Sequence, residues 1–570
     1  MDYQCLCNCQ ECTLKGNKVV LPYVPLDPIA KVLLVGQAPG KTELVTGVPF
    51  TGPAGKMLYA CLMGAGLDKR RLYITNLVSC KPPEDKKGND LPPTPREIMN
   101  CNPRLRQEIL DIKPTIIVAL GGPALYELTG QDKIQTARGG MYPLRDKYQY
   151  DCSVLAVLHP SYVMRQRQWV ETTIKDLKEV GKFLLNGAPP KEQDYEFLVD
   201  PPLPMLEEYL SRPGILAFDT ETTGLNTRLD QVIGMSFSNS YTSAAAILLV
   251  PDDPRAALVK RVLEDPSILK ATQNGSFDCA ILHSSLGIDV QGMSYDTRLA
   301  EQLMNSDMPT TLDHLRAVYT KIKPYKPSKS EMKTITHWGK QRMLEYANWD
   351  AVCTYQVMVE QKKVLTDGQL HLLETLLLPL VPALNSMSEK GVLVDINYLA
   401  GRYAANIPRL KSLEEDIQQR LGINPHSPKQ VKELFQLSAS DRPTLEYYIE
   451  RGDPRAENMQ LVLECRDLKK ESGTYLKGLF DRLEDGYVHT SYLPDGTGTG
   501  RLSSRDPNLQ NIPKHLRRLY IAEPGCYLVS GDYKQLELWV GSVIAPCEIL
   551  HQDLLNGVDV HSLVAAEIKD

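Results

Sequence analysis

The sequence predicts a multidomain α/β chain, and three observations carry that expectation. At 570 residues the chain has room for three to four domains, each with its own core. Short apolar runs such as Val32–Val35, Ile116–Leu120 and Leu216–Phe218 alternate with helical stretches, as in sheets covered by helices. Residues 400–480 instead keep an i, i+3, i+4 apolar spacing, which predicts a helical region. Charged residues are 24% and apolar ones 42%, the balance of an ordinary globular protein. The net charge of −6 excludes a global field for polyanions, so any nucleic-acid binding must rest on local basic surfaces. There is no N-terminal basic-plus-apolar signal. The longest apolar run, Leu372 to Leu384, contains Pro379 and Pro382 and reads as too short for a membrane span. A cytoplasmic location with no membrane contact is expected.

The first region, residues 1–190, holds seven of the thirteen cysteines within its first 101 positions. Disulfides are rare under reducing conditions, so clustered cysteines there point to metal ligands. Cys9-Gln10-Glu11-Cys12 is a C-x-x-C, with Cys5, Cys7, Cys80 and Cys101 nearby in the chain. Behind the strand Val32–Val35 come Gly36-Gln37-Ala38-Pro39-Gly40, small residues that let backbone amides approach a ligand closely. Tyr73-Ile74-Thr75-Asn76 and Leu158-His159-Pro160-Ser161 follow later. Strands alternating with helices place the site of such a domain at the strand tips.

These segments resemble the iron–sulfur uracil-DNA glycosylases, which carry GEAPG, PF-x-G-x-AG, TN…KC and HPS. The matching residues are Gly36 to Gly40, Pro49-Phe50-Thr51-Gly52 with Ala54-Gly55, Thr75-Asn76, and His159-Pro160-Ser161. The resemblance implies a parallel-sheet glycosylase-like domain with a [4Fe–4S] cluster on Cys9, Cys12, Cys80 and Cys101. Zinc is the competing occupant. It also implies that Phe50 stacks on a flipped base and Asn76 reads its Watson–Crick edge. His159 would stabilise the departing uracil anion. Gln37 would contact substrate and Glu43 would keep the class's second acid. Gln37 replaces the family's Glu, and Ala38 and Gly40 stand where the commoner GQDPYH class has Asp and Tyr. A domain that senses uracil without excising it, or a purely structural one, is the alternative.

Pro189, Pro190, Pro201, Pro202, Pro204 and Pro213 predict a stiff linker over residues 191–213. From 214 to 366, Asp219-Thr220-Glu221 puts two carboxylates on one side of a strand end. Asn274-Gly275-Ser276-Phe277-Asp278 adds a third carboxylate, and Tyr346-Ala347-Asn348-Trp349-Asp350 a fourth, one helical turn beyond Tyr346. In this order the four pieces resemble the tyrosine subtype of the DEDD 3′–5′ exonucleases. The resemblance implies an RNase H-like fold and two divalent ions, Mg2+ or Mn2+, on Asp219, Glu221, Asp278 and Asp350. Tyr346 would orient the attacking water, and Asn274 would contact single-stranded 3′ ends.

Residues 367–570 turn helical and run from Leu376 to Asp395 into the segment Asn424-Pro425-His426-Ser427-Pro428-Lys429-Gln430. They close with Thr499 to Pro513, the apolar Tyr527-Leu528-Val529, Asp532, Glu537 and His561. This stretch resembles the family A DNA polymerases, which include bacterial DNA polymerase I. The resemblance implies a helical thumb and a partial palm. A buried strand would deliver Asp532 to catalytic magnesium, with Glu537 as the gate against ribose. Arg501 and Gln510 would lie on the primer–template, and His561 on the triphosphate. Lys469, Lys470 and Lys477 are candidates for duplex phosphates. Trp539 stands where the family usually has Arg, and Ala545-Pro546-Cys547 replaces a Ser-Gly-Asp turn.

Read to Asp570, the sequence precedes the family's fingers helix and second catalytic Asp. The expectation is the N-terminal portion of a phage-type, split replication polymerase in the bacterial host cytoplasm. It would act on primer–template DNA and use deoxynucleoside triphosphates only with a second polypeptide. A stand-alone repair exonuclease and glycosylase is the alternative.

Overall fold

The computed structural model describes residues 9–26, 32–85, 90–186, 193–249, 253–326, 334 and 337–569. Cys5 and Cys7 lie outside the described residues. The chain divides into two compact units, Met1–Glu389 with Ser491–Arg505, and Lys390–Thr490 with Asp506–Asp570.

The first unit holds two sheets. One has the order β2-β1-β3-β5-β4, formed by Tyr73–Asn76 (β2), Val32–Gly36 (β1), Ile116–Leu120 (β3), Ser153–Val157 (β5) and Met141–Pro143 (β4). The first four are parallel, and only β4 runs antiparallel. Strand periodicity explains the all-apolar runs. Val32 and Leu34 enter one core with Leu58, Leu62 and Leu177, while Leu33 and Val35 enter the other with Leu105, Ile109 and Leu125.

The second sheet has the order β11-β10-β7-β8-β9-β6 and is mixed. Its strands are Glu196–Val199 (β6), Leu216–Thr222 (β7), Val232–Ser238 (β8), Ser243–Leu248 (β9), Lys270–Thr272 (β10) and Met293–Asp296 (β11). The expected linker over 191–213 is corrected here. Glu196–Val199 pairs in parallel with β9, and Leu203–Leu210 forms a helix that buries Leu206, Tyr209 and Leu210 in the core of this sheet. Its prolines sit at the helix start, where a missing N–H costs nothing.

The two sheet regions of this unit touch through cations that donate to backbone carbonyls. Arg138 Nη1 donates to the Ala317 carbonyl at 3.3 Å, Arg316 to that of Thr136 and Lys175 to that of Val318. Trp169 meets His314 edge-to-face at 5.1 Å, and Met308 packs with Leu158 and Val163.

Asp367–Lys390 is one continuous helical stretch of 24 residues, apolar and long enough to cross a membrane by length and composition. That corrects the expectation of a segment too short to do so. Pro382 lies inside this helix, and Leu373, Leu378 and Val381 pack on Tyr295 and Leu299 of the second sheet region. The helix stops at Lys390, short of the expected Asp395, because Gly391 takes the left-handed φ of +68°.

In the second unit the helices Ile396–Leu421, Pro428–Phe435, Arg442–Glu450 and Ala456–Lys470 enclose Ile417, Val431, Phe435, Leu445 and Met459. A three-stranded sheet follows, with Val392–Leu393 (β12), Leu483–Glu484 (β13) and Tyr487–Val488 (β14) in the order β12-β14-β13. The buried strand expected at Tyr527-Leu528-Val529 is not formed. These residues are 91%, 64% and 93% exposed, and their backbone pairs with no strand among the described residues. A strand without a ladder partner gains no hydrogen bonds over solvated coil.

Candidate nuclease centre and base-reading pocket

Strand β7 presents Asp219 and Glu221 two residues apart, on the same face. Asp350 reaches them from the long helix Lys340–Lys362, so that one carboxylate oxygen from each of the three lies within 4.8 Å of the others. Asp278 sits in the first turn of the helix Gly275–Leu286, which Asn274 initiates from a left-handed φ of +71°. Its Oδ1 accepts from Thr220 Oγ1 at 2.6 Å and from the Thr220 amide at 3.2 Å, which ties it to β7. Asn274 Oδ1 accepts from Arg298 Nη1 at 2.8 Å.

Burial, then the neighbouring charges of Asp278, Asp350 and Glu221, holds Asp219 well above the usual carboxylate range. Burial and Asp350 do the same to Glu221. Asp278 is pushed up to about 7, chiefly by burial. Glu221 Oε1 is buried and meets no hydrogen-bond donor among the described residues. Carboxylates packed this way repel one another unless a cation shares the space, and hard oxygen donors suit Mg2+ or Mn2+.

Two residues of this centre were missed in the sequence. Tyr325 OH donates to Asp350, and its ring stacks on Trp349 at 5.7 Å. Lys326 Nζ lies 3.1 Å from Asp350 Oδ1 and 3.4 Å from Tyr346 OH. Burial pulls the Lys326 ammonium down, but Asp350 and Asp219 outweigh it and keep it charged. Tyr346 is raised by burial and by Asp350 and Glu221, so its phenol keeps its proton at neutral pH. The aromatic and basic pair between Pro324 and Pro327 was the available signal.

A second site lies at the strand tips of the first sheet. β1 ends on Gly36, β2 on Asn76, and β5 leads to His159. A Cβ on Gly36 would sit 2.4 Å from Asn76 Oδ1 and 2.5 Å from Phe50 Cζ, so glycine is what lets these two side chains converge. Phe50 and His159 rings are 6.3 Å apart. Asn76 Oδ1 is buried without a partner among the described residues. His159 Nδ1 accepts from the Ser161 amide at 3.2 Å, which leaves the ring proton on Nε2. Burial lowers the His159 pKa to about 4. Glu43 accepts from the Gly40 amide on Oε2 at 3.1 Å and from the Gly52 amide on Oε1 at 2.8 Å, so it braces two loops. Gln37 is half-buried beside them.

Cys9, Cys12, Cys80 and Cys101 line one cavity of about 260 Å³, together with Leu14, Val78 and Arg104. Burial, and then the other three thiols, push Cys80 up to about 11. No three of the four sulfurs come within 4.8 Å of one another. A single tetrahedral zinc with ~2.3 Å bonds would hold its sulfurs ~3.8 Å apart, closer together than any three of these lie. Arg104 joins this cavity to the base pocket by donating to the Asn76 carbonyl at 2.6 Å and pairing with buried Glu108.

In the second unit Asp532 and Glu537 are exposed, Glu537 in the first turn of the helix Leu536–Ile544. His561 opens the helix Val560–Lys569, capped by Asp559, to which Gln535 Nε2 donates at 3.5 Å. Gln510 follows the turn at Asn508, whose Oδ1 accepts its amide at 3.0 Å. Arg501 is exposed in the loop before Ser503–Arg505 of the first unit. The three lysines assigned to phosphates have partners. Lys469 pairs with Glu414, Lys477 with Asp481, and Lys470 lies over the Tyr475 ring.

A two-carboxylate strand, a third and fourth acid on helices, and the convergence of Asn76, Phe50 and His159 at the strand tips of the first sheet mark a multidomain α/β chain with two candidate sites. Its segments match three family models: the uracil DNA glycosylase superfamily over residues 25–180, 3′-5′ exonuclease over 203–365, and DNA polymerase family A over 397–570. DNA polymerase I of Pseudomonas aeruginosa is 29% identical over 448 residues, covering 70% of this chain and 49% of that protein. DNA polymerase I of Rhizobium leguminosarum is 30% identical over 414 residues, covering 62% and 40%. The POL domain of Pol1 from M. smegmatis, solved in complex with DNA primer-template and dNTP, shares the fold at a TM-score of 0.53 and 22% identity. That match covers 65% of this chain and 66% of that one. The chain spans about half the length of the curated relatives it matches. It is a family A DNA polymerase sequence preceded by a 3′–5′ exonuclease domain and a glycosylase-superfamily domain.

Proposed function

We propose that this protein proofreads DNA by removing nucleotides from 3′ ends and recognises uracil with its N-terminal domain. The observation that carries the first part is the convergence of Asp219, Glu221 and Asp350, with Asp278 tied to the same strand. Divalent cations held there would stabilise the charge that builds on the phosphate during in-line hydrolysis. Tyr346 keeps its proton and can hydrogen-bond the attacking water from beside Asp350. Asp219→Ala is expected to lose at least about 10²-fold in 3′-end hydrolysis, since metal charge stabilisation is worth several kcal/mol and ~1.4 kcal/mol is tenfold in rate. Near-normal digestion of a mismatched 3′ end by a folded Asp219→Ala protein would refute the assignment.

The unpartnered side-chain oxygen Oδ1 of Asn76, the Phe50 ring and the Nε2 proton of His159 support uracil recognition. A neutral His159 can donate to a departing uracil anion without carrying a full charge into the pocket. The four cysteines would hold a [4Fe–4S] cluster as a structural centre beneath this pocket. For polymerisation, Asp532 would take a divalent cation, with Glu537, His561 and Gln510 of the same unit around primer, template and triphosphate. Tyr527, Val529, Val543, Ile544 and Ile549 are exposed apolar side chains of the same unit, the kind of surface that marks an interaction site.

A further inference from the structure

In the helical unit three ligand-type atoms from separate segments converge outside every site described above. Glu414 comes from the helix Ile396–Leu421, His426 from the loop before Pro428–Phe435, and Cys465 from the helix Ala456–Lys470. A carboxylate oxygen, a ring nitrogen and a sulfur lie within 4.8 Å of one another. His426 Nε2 is 2.7 Å from Glu414 Oε1 and 3.8 Å from Cys465 Sγ. Cys465 is fully buried in the apolar core with Ile417, Val431 and Met459, whereas His426 and Glu414 are half-buried on its open side.

A histidine–glutamate ion pair alone does not require a thiol at the same nitrogen. Tetrahedral zinc with ~2.3 Å sulfur and ~2.0 Å nitrogen bonds sets those two ligands ~3.5 Å apart, near the separation found here. The carboxylate and ring would open by a few tenths of an ångström to ~3.3 Å. A thiolate and a carboxylate balance the two charges of such an ion. Lys469 Nζ lies 3.5 Å from Glu414 Oε1, but 53% of its side chain is exposed and it can turn to solvent. Arg466 is held away by the Pro425 and Ser440 carbonyls.

We propose that Glu414, His426 and Cys465 form a three-ligand site for a soft divalent cation, best matched by zinc, with water as fourth ligand. Sulfur and imidazole select it over Mg2+. The ion would tie together three segments that are otherwise joined by packing, by the Lys469–Glu414 and Arg409–Glu464 pairs and by Arg466 donating to the Pro425 carbonyl, and the inference does not depend on the DNA chemistry proposed above.

The test uses the full chain, loaded with zinc and dialysed, as wild type, Cys465→Ser and His426→Gln. Each variant is expected to hold one zinc ion fewer per chain by elemental mass spectrometry. Zinc at ten times its dissociation constant should also slow amide exchange about tenfold in the helices Ile396–Leu421 and Ala456–Lys470 of the wild type only. The cysteines of the N-terminal cavity are common to all three proteins and cancel in the difference. Equal zinc content in the three, or exchange indifferent to zinc, means a His–Glu ion pair only and overturns the proposal. Should Cys465→Ser fail to fold, His426→Gln at its half-buried loop position decides.

Discussion

Lys326 is a resident cation of the nuclease centre, and removing it should strengthen metal binding. Its Nζ stands 3.1 Å from Asp350 Oδ1, inside the field of acids that would hold divalent ions. Two unit charges ~4 Å apart interact by about 4 kcal/mol at an effective dielectric of 20 and by about 1 kcal/mol in water. With 27% of the Lys326 side chain exposed, the repulsion felt by an incoming ion falls toward the lower value. About 1.4 kcal/mol, or tenfold in affinity, is expected. Lys326→Ala should therefore bind Mn2+ about tenfold more tightly in calorimetric titration without DNA, while Lys326→Arg stays near wild type. An Asp219→Ala background supplies the control for other Mn2+ sites. Unchanged or weaker binding by Lys326→Ala would refute the reasoning, because it would mean the ammonium organises the acids more than it competes for them.

Gly36→Ala should weaken binding of uracil-containing DNA at least about tenfold, because its Cβ would meet Asn76 Oδ1 at 2.4 Å and Phe50 at 2.5 Å. A gel-shift comparison of uracil and thymine duplexes reads this, and unchanged discrimination would detach the pocket from uracil. His314 is buried, and burial lowers its pKa to about 4 from an ordinary value of 6.5. The unfolded chain takes up this proton first, so the contribution is complete above pH 6.5 and is lost as pH falls toward 4, by at most about 3 kcal/mol. The acid-side drop in melting temperature should shrink in His314→Gln, and an identical profile would place the acid sensitivity elsewhere.

The elements that were legible in the sequence are those whose chemistry is local. Asp219 and Glu221 announce themselves by strand periodicity and Asp350 by the tyrosine one helical turn earlier, while Asp278 is picked out by motif order and its place in the first turn of a helix comes from the fold. The apolar runs of β1 and β3 could only be strands buried on both faces. Tyr325 and Lys326 were opaque because their meeting with Asp350 is made by the return of a loop, which no spacing reports. The prolines at 201, 202 and 204 read as linker because punctuation and helix initiation use the same residue. Tyr527-Leu528-Val529 has the composition of a strand, but a strand is a property of its neighbours as well. The Glu414, His426 and Cys465 grouping joins positions up to three helices apart and carries no motif.

The cations that fasten the two sheet regions of the first unit address main-chain oxygens at Ala317, Thr136 and Val318. Every amino acid supplies that oxygen, so the receiving surface is free to drift in sequence without loosening the joint. The polar half of the joint therefore puts its demand on Arg138, Arg316 and Lys175, beside the side-chain contacts of Trp169 with His314 and of Met308 with Leu158 and Val163.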